Sequence, residues 1–333
     1  MSQKIKKSLS FAAAASVLLA SMASAAPVPA DLKPEAGALK IALMPWLGYG
    51  QLHVAKERDL YKANGLANVE LVNFSEDKDL NAAFVSGQVD LAAVPTHQAL
   101  QMVGAGLPVK IVMLMDTSEQ ADAILADASV KTLQDLKGKQ IAFEEGTTSD
   151  ILLRSALDKA GLAWSDITAI PMPAANAGAA LIAERVSVAV TYEPYISTAK
   201  AQSDKVHVLF TGKDSPGLIG DVLVARDDVI ESKPGQVLAT VKAWGQAVDF
   251  YNADQNQGRK IISEAIGSTP EELKTGFDGV QFVSLAANKD QFKGSFVADA
   301  LPVIEKAAQD AGLITHSIPA EQLIDSRFVE AAK

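Results

Sequence analysis

Apolar residues come in short bursts along this chain, separated by polar, Gly- and Pro-rich punctuation. Leu39–Leu43 is a mostly apolar burst of the length that forms a buried strand. Met44-Pro45-Trp46-Leu47-Gly48-Tyr49-Gly50 reads as a loop from its Pro and Gly content. The pattern then predicts an amphipathic helix over Gln51–Ala63, with Asn64-Gly65 as its C-cap. Val69–Phe74 is a second strand, Asp79–Ser86 a helix stopped by Gly87, and Val89–Val94 a third strand ended by Pro95. Thr96–Ala105 and Val109–Met115 continue the series as helix and strand. Strands alternating with helices predict a parallel α/β layer structure.

The same order returns about a hundred residues later. Gln140–Phe143 predicts a strand, Ser149–Ala160 a helix stopped by Gly161, and Ile167–Pro171 a strand. Ala174–Arg185 follows as a helix, and Val186–Thr191 as a strand ended by Tyr192-Glu193-Pro194. Residues echo as well as elements. Ile41-Ala42-Leu43 matches Ile141-Ala142-Phe143, and Ala82-Ala83-Phe84 through Ala93 matches Ala179-Ala180-Leu181 through Val190. An internal repeat of this kind is sought before a fold is assigned. It predicts two α/β lobes with a ligand cleft between them, because open α/β sheets bind beyond the carboxyl ends of their strands.

The echo also pairs loops. Met44–Gln51 corresponds to Glu144–Asp150, and Pro95-Thr96-His97 to Tyr192-Glu193-Pro194-Tyr195. Further on, Val206–Phe210 and Asp221–Ala225 are strand-like. The remainder is mostly helical in pattern: Gly235–Tyr251, Gln255–Ala265, Pro270–Gly276 and Lys289–Ala311. The chain is expected to cross between lobes near Thr117–Asp122 and near Lys213–Asp221. One lobe then comprises residues 38–116 plus 222–333, and the other 117–221.

Composition sets the compartment. Lys4, Lys6 and Lys7 precede the apolar run Phe11–Leu19 and then Ala23-Ser24-Ala25. A basic region, a short apolar run and an A-x-A site predict a secretory signal peptide over residues 1–25, cleaved after Ala25. Those three lysines are the only charged residues of the leader, so its removal shifts the net charge from −10 to −13. Such acidity disfavours nucleic acid and anionic lipid as partners. The absence of cysteine excludes a lipoprotein anchor, disulfides and thiol chemistry.

Several stretches, in order, resemble the nitrate/sulfonate/taurine-type solute-binding proteins of ABC importers, a group that includes binders of pyrimidine precursors of thiamine. They are Trp46-Leu47-Gly48-Tyr49, Ser86-Gly87-Gln88-Val89-Asp90, Asp135–Ala142, Gly146-Thr147-Thr148-Ser149, Glu193-Pro194-Tyr195 and Ser326-Arg327-Phe328-Val329. The resemblance implies a type II periplasmic-binding fold, two α/β lobes closing on a solute. It also implies a monomer in the periplasm that docks on an ABC permease with its ATPase, without catalysis or a cofactor. One departure is Ala183-Glu184-Arg185-Val186-Ser187, where the family repeats Gly-x-Val-Asp, so a different turn is expected there.

The expected ligand contacts are Trp46, Tyr49, Thr96, His97, Glu144, Thr147, Thr148, Ser149, Tyr192, Glu193 and Asp221. The aromatics suit stacking on a planar or alkyl ligand, or holding a cation. One of Thr147, Thr148, Ser149 and Asp150 is expected to cap the following helix. Asp116-Thr117-Ser118 and Asp221 lie at the crossings, where a hinge role competes with ligand contact. The four histidines are scattered, without metal spacing, and no nucleophile elbow, phosphate loop or zinc motif is present. The nominated loops carry carboxylates and no Lys or Arg, which predicts an amine, guanidinium, amidine, aminopyrimidine or zwitterionic solute. A carboxylate at ~4 Å from an anion costs roughly 4 kcal/mol at an effective dielectric of 20. A helix N-terminus returns only about 0.3–1 kcal/mol. Two other readings stand beside solute capture for import: a relative of the pyrimidine-precursor synthases, and a solute sensor for a membrane receptor.

Overall fold

The computed structural model describes residues 26–333; the leader and its cleavage site lie outside the described residues. In chain order the strands are β1 (Leu39–Leu43), β2 (Val69–Asn73), β3 (Leu91–Pro95), β4 (Val109–Ser118), β5 (Asp122–Ala126) and β6 (Gln140–Phe143). They continue with β7 (Thr168–Pro171), β8 (Val188–Tyr192), β9 (His207–Thr211), β10 (Gly220–Arg226) and β11 (Val280–Phe282). They form two sheets, ordered β11-β4-β10-β3-β1-β2 and β7-β6-β8-β5-β9.

The sequence echo maps directly onto these sheets. β1 pairs in parallel with β2 and β3, as β6 does with β7 and β8. Ile41 and Ala42 register with Leu91 and Ala92, while their echoes Ile141 and Ala142 register with Val188 and Ala189. In each sheet one strand arrives from the other half of the chain and runs antiparallel: β10 between β3 and β4, and β5 between β8 and β9. Both strands are nearly continuous apolar runs because each lies inside its sheet and packs against helices.

The departing turn folds like its counterpart. Gly87 sits at φ 77°, and Glu184 occupies the equivalent position at φ 54°. Both turns close with the same bonds: Gly87 N and Gln88 N donate to Phe84 O and Ala83 O, while Glu184 N and Arg185 N donate to Leu181 O and Ala180 O. The expectation of a different turn is therefore corrected. Glu184 accepts the left-handed conformation that glycine adopts without steric cost.

Other boundaries shift for physical reasons. The helix expected over Gln51–Ala63 breaks into Gly50–Glu57 and Leu60–Ala63, with Asp59 at φ 55° between them. The helix expected over Lys289–Ala311 becomes Leu285–Lys293, a π turn over Phe296–Ala300, and Leu301–Asp310. Pro302 has no N–H to donate back into the preceding turn, and the backbone relaxes there. Helix Lys274–Gly279 replaces the expected Pro270–Gly276. β5 and β11 were not anticipated.

At the crossings the two connecting segments lie side by side. Ser118 N donates to Ile219 O at 3.0 Å, and Lys213 N to Glu119 O at 2.8 Å. Glu119 N and Gln120 N both donate to Gly279 O. Nearby, helix Leu301–Asp310 packs on helix Thr148–Ala160, so one apolar core runs from the first sheet onto the second. A smaller core around Ala142, Ala177, Leu181 and Ala189 covers the other face of the second sheet. No helix among the described residues is long and apolar enough to cross a membrane.

Candidate functional site

The carboxyl ends of β1, β3, β6 and β8 point toward the junction of the two sheets, as do the end of β4 and the start of β10. Two aspartates meet there by strand register: Asp116 of β4 pairs directly with Asp221 of β10. Directly opposed residues of an antiparallel pair project to the same face, with Cβ atoms ~5 Å apart. Asp116 is 2% exposed and Asp221 9%. Asp122, at the start of β5, is buried beside them.

Gly48 makes room for this arrangement. A Cβ on it would overlap Asp116 Oδ2 and Trp46 Nε1. The Trp-Leu-Gly-Tyr run therefore brings an indole and a phenol onto the carboxyl pair. The Trp46 N–H and the Tyr49 hydroxyl are directed at Asp221 and favour its ionised form. Tyr49 is buried, and that burial, then Asp221 and Asp116, push its pKa well up.

Burial dominates the electrostatics. It raises Asp221 to about 7, against the hydrogen-bonding help of Asp116, Trp46 and Tyr49. It also raises Asp116 well above the usual carboxylate range, and the Asp221 charge adds to the shift. Asp122 is raised to about 6, again by burial, with Ser118 moderating it. The two paired carboxyls are close enough to share a proton, and apart from that contact no N–H or hydroxyl among the described residues donates to either Asp116 oxygen. The charged groups acting on Asp116 are Asp221 and Asp122, all of one sign.

Aromatic rings close over this floor. Trp46, in the loop after β1, and Tyr192, at the end of β8, meet edge to face with centroids 6.4 Å apart. Tyr192 in turn meets Tyr195 at 5.3 Å. Burial raises Tyr192 to about 12, with Tyr195, Glu144 and Asp122 adding to the shift. At the rim, Asp77 stays open to solvent on one side, and partial burial followed by Glu144 opposite pushes its carboxyl up. On the other side of the carboxyl pair lies a cavity of about 340 Å³, lined among others by Ser118, Glu119, Lys213, Gln281, Gln291 and Asp299. A pocket of a few hundred Å³ with a few convergent polar groups is the usual form of a small-molecule site.

The other expected contacts are largely committed to the scaffold. Thr96 Oγ1 donates to Gly220 O at 2.8 Å, tying β3 to β10. His97 is buried, which lowers its pKa to about 4 and keeps it neutral. Glu193 is 4% exposed and accepts from Ser197 N and Oγ, capping helix Tyr195–Gln202. Glu144 Oε2 accepts from Ala174 N at the start of helix Ala174–Ile182. Of the residues expected to cap helix Thr148–Ala160, Thr147 does so, accepting from Ser149 N. Asp150 instead accepts from Gly146 N and Arg154. Thr148 is half-buried and Ser149 buried in that first turn. Sequence reasoning missed Asp77 and Asp122. The signal available for Asp122 was its place at a crossing, across from Asp221. Among the described residues no group of three His, Asp or Glu side chains gathers to hold a metal ion.

The chain matches the NMT1/THI5-like family over residues 48–257. It is 26% identical to a putative aliphatic sulfonates-binding protein of Escherichia coli over 242 residues, 72% of this chain and 74% of that one. It is also 26% identical to a putative binding protein of Brucella abortus over 224 residues, 67% of this chain and 69% of the relative. Its fold superimposes on the crystal structure of the periplasmic aliphatic sulphonate binding protein SsuA from E. coli with a TM-score of 0.71. That match has 21% identity and covers 88% of this chain and 93% of SsuA. With two repeated α/β sheets joined by paired crossings and the family matched over most of its length, this chain has the periplasmic-binding-protein fold and belongs to the NMT1/THI5-like family.

Proposed function

We propose that the protein is the periplasmic solute-binding component of an ABC importer and that its solute carries cationic or N–H-rich character. The observation that carries this reading is the buried carboxyl set Asp116, Asp122 and Asp221, capped by Trp46, Tyr49 and Tyr192. Relatives whose names specify aliphatic sulfonates support the transport class. The charge of this site favours a different end of the solute. An amine, guanidinium or amidine supplies the N–H donors that Asp116 lacks, and the rings favour a cation over their faces. A zwitterion such as taurine fits if its ammonium meets the aspartates and its sulfonate lies toward Thr147–Ser149.

The lobes we assign are residues 38–116 plus 222–333 and 117–221, closing on the solute through Trp46 and Tyr192. A monomer presenting both lobes to a permease with its ATPase is the form we propose, with binding and no catalysis. Neither an enzymatic nor a sensor role is favoured by a specific feature of the site. A thermal-shift panel tests the reading. Methylguanidinium, simple amines or taurine at a hundred times their dissociation constant should stabilise the protein by about 2.7 kcal/mol. Stabilisation by nitrate and simple sulfonates alone would refute the cationic assignment.

A further inference from the structure

We propose that Asp116 and Asp221 act as one unit, a carboxyl pair that holds a single proton in the free protein and exchanges it for an N–H-bearing cationic end of the solute. The inference rests on the proposed capture of a cationic solute and adds how the site recognises it. Strand register fixes the pair: Asp116 and Asp221 are direct cross-strand partners on β4 and β10. Both are at least nine-tenths buried, and both line the cavity at the lobe junction.

Two like charges this close and this buried do not both ionise, so the free pair keeps one proton. The remaining hydrogen-bonding capacity is then uneven between the two. Asp221 already faces the Trp46 N–H and the Tyr49 hydroxyl, whereas Asp116 has only the proton it shares with Asp221, and no N–H or hydroxyl among the described residues donates to its other oxygen. An unpaired buried carboxylate oxygen is costly, and an N–H donor of the solute removes that cost. A protonated pair carries one negative charge. An ionised pair bridged by a monocation carries the same net charge, so the exchange leaves the site's charge unchanged and sends one proton to solvent.

The titratable and charged groups facing the pair are Asp122 from β5, Tyr49 from the first loop, and Glu119, Lys213 and Asp299 around the cavity. Asp122 reinforces retention of the proton in the free state. Asp116 is thereby a specificity residue: it discriminates N–H cations from quaternary ammonium ions, which bring charge but no donor.

Calorimetry in two buffers of different ionisation enthalpy measures the exchange. Methylguanidinium, tetramethylammonium and ethanesulfonate are titrated into the mature protein and into Asp116→Asn and Asp221→Asn. Methylguanidinium binding to the unsubstituted protein is expected to release about one proton at pH 6, and less as the pH rises through the pair's ionisation. Asp116→Asn is expected to weaken it by about 10- to 100-fold and to abolish the release. Tetramethylammonium should bind at least tenfold more weakly than methylguanidinium. Methylguanidinium binding with a buffer-independent enthalpy, or with undiminished release in Asp116→Asn, overturns the exchange while leaving the cationic reading intact. Tetramethylammonium binding as tight as methylguanidinium overturns the donor requirement. Binding of ethanesulfonate with no binding of methylguanidinium into the millimolar range overturns both readings.

Discussion

Between about pH 6.5 and 7.5, as pH rises through the value of about 7 to which Asp221 is raised, the solute-free protein is expected to lose thermal stability, and Asp116→Asn is expected to remove most of that loss. Burial raises Asp116, Asp221 and Asp122 in the folded state above the range of an unfolded aspartate, about 3.9. A carboxyl raised in this way stabilises the fold fully only below its unfolded pKa. That contribution falls as pH rises toward the folded value and is gone above it. Each aspartate still protonated in the fold and ionised in the unfolded chain therefore removes about 1.4 kcal/mol per pH unit. His53 and His97 act in the opposite sense, since burial lowers both to about 4. Their effect is confined to pH below about 6.5 and leaves the chosen window to the aspartates. The asparagine amide introduced by the substitution is close to isosteric with a protonated aspartate and cannot ionise. Melting curves across the window, for both proteins without solute, measure the effect. A flat profile for the unsubstituted protein would show that the pair is already ionised at neutral pH.

Asn288→Ala is expected to be among the most damaging single substitutions outside the cleft. Asn288 is fully buried on helix Leu285–Lys293. Its Oδ1 accepts from Leu114 N at 2.7 Å and its Nδ2 donates to Leu114 O at 2.9 Å. β11 pairs with β4 only over Asp116–Ser118, so the edge of β4 just before it has no strand neighbour on that side. The Asn288 amide supplies the missing donor and acceptor, two residues before Asp116. Removing it orphans two buried backbone groups at roughly 1–3 kcal/mol each. Urea unfolding should show a lowered midpoint at unchanged slope, consistent with a loss of about 2–6 kcal/mol. A loss below about 0.5 kcal/mol would indicate that water replaces the amide.

The repeated βα units were legible in the sequence because their cause is local. Apolar bursts of strand length, helical stripes and glycine stops all act within a dozen residues, and the Ile41/Ile141 echo marked equivalent strands before any pairing was known. β5 and β11 were not legible in that way. Val280–Phe282 is a strand only because Ser118–Asp116 lies beside it, and Asp122–Ala126 gains its neighbours from β8 and β9, roughly sixty to ninety residues on. The site divided along the same line. Trp46, Tyr49, Tyr192 and Asp221 could be nominated from loop position and from the echo. Asp116 acquires its meaning from cross-strand register with Asp221, which no local pattern encodes. Glu193 looked like a ligand contact from its loop, but a serine four residues later claims its carboxylate. Thr96 is likewise occupied by a carbonyl more than a hundred residues away.

The cationic character of the solute is the central claim, and isothermal calorimetry of taurine against ethanesulfonate, which differ by the amine alone, tests it most directly. The account predicts measurable taurine binding at least about tenfold tighter than ethanesulfonate, a difference of at least about 1.4 kcal/mol. It further predicts that Asp221→Asn narrows this gap. Ethanesulfonate binding as tightly as taurine, or more tightly, would contradict it.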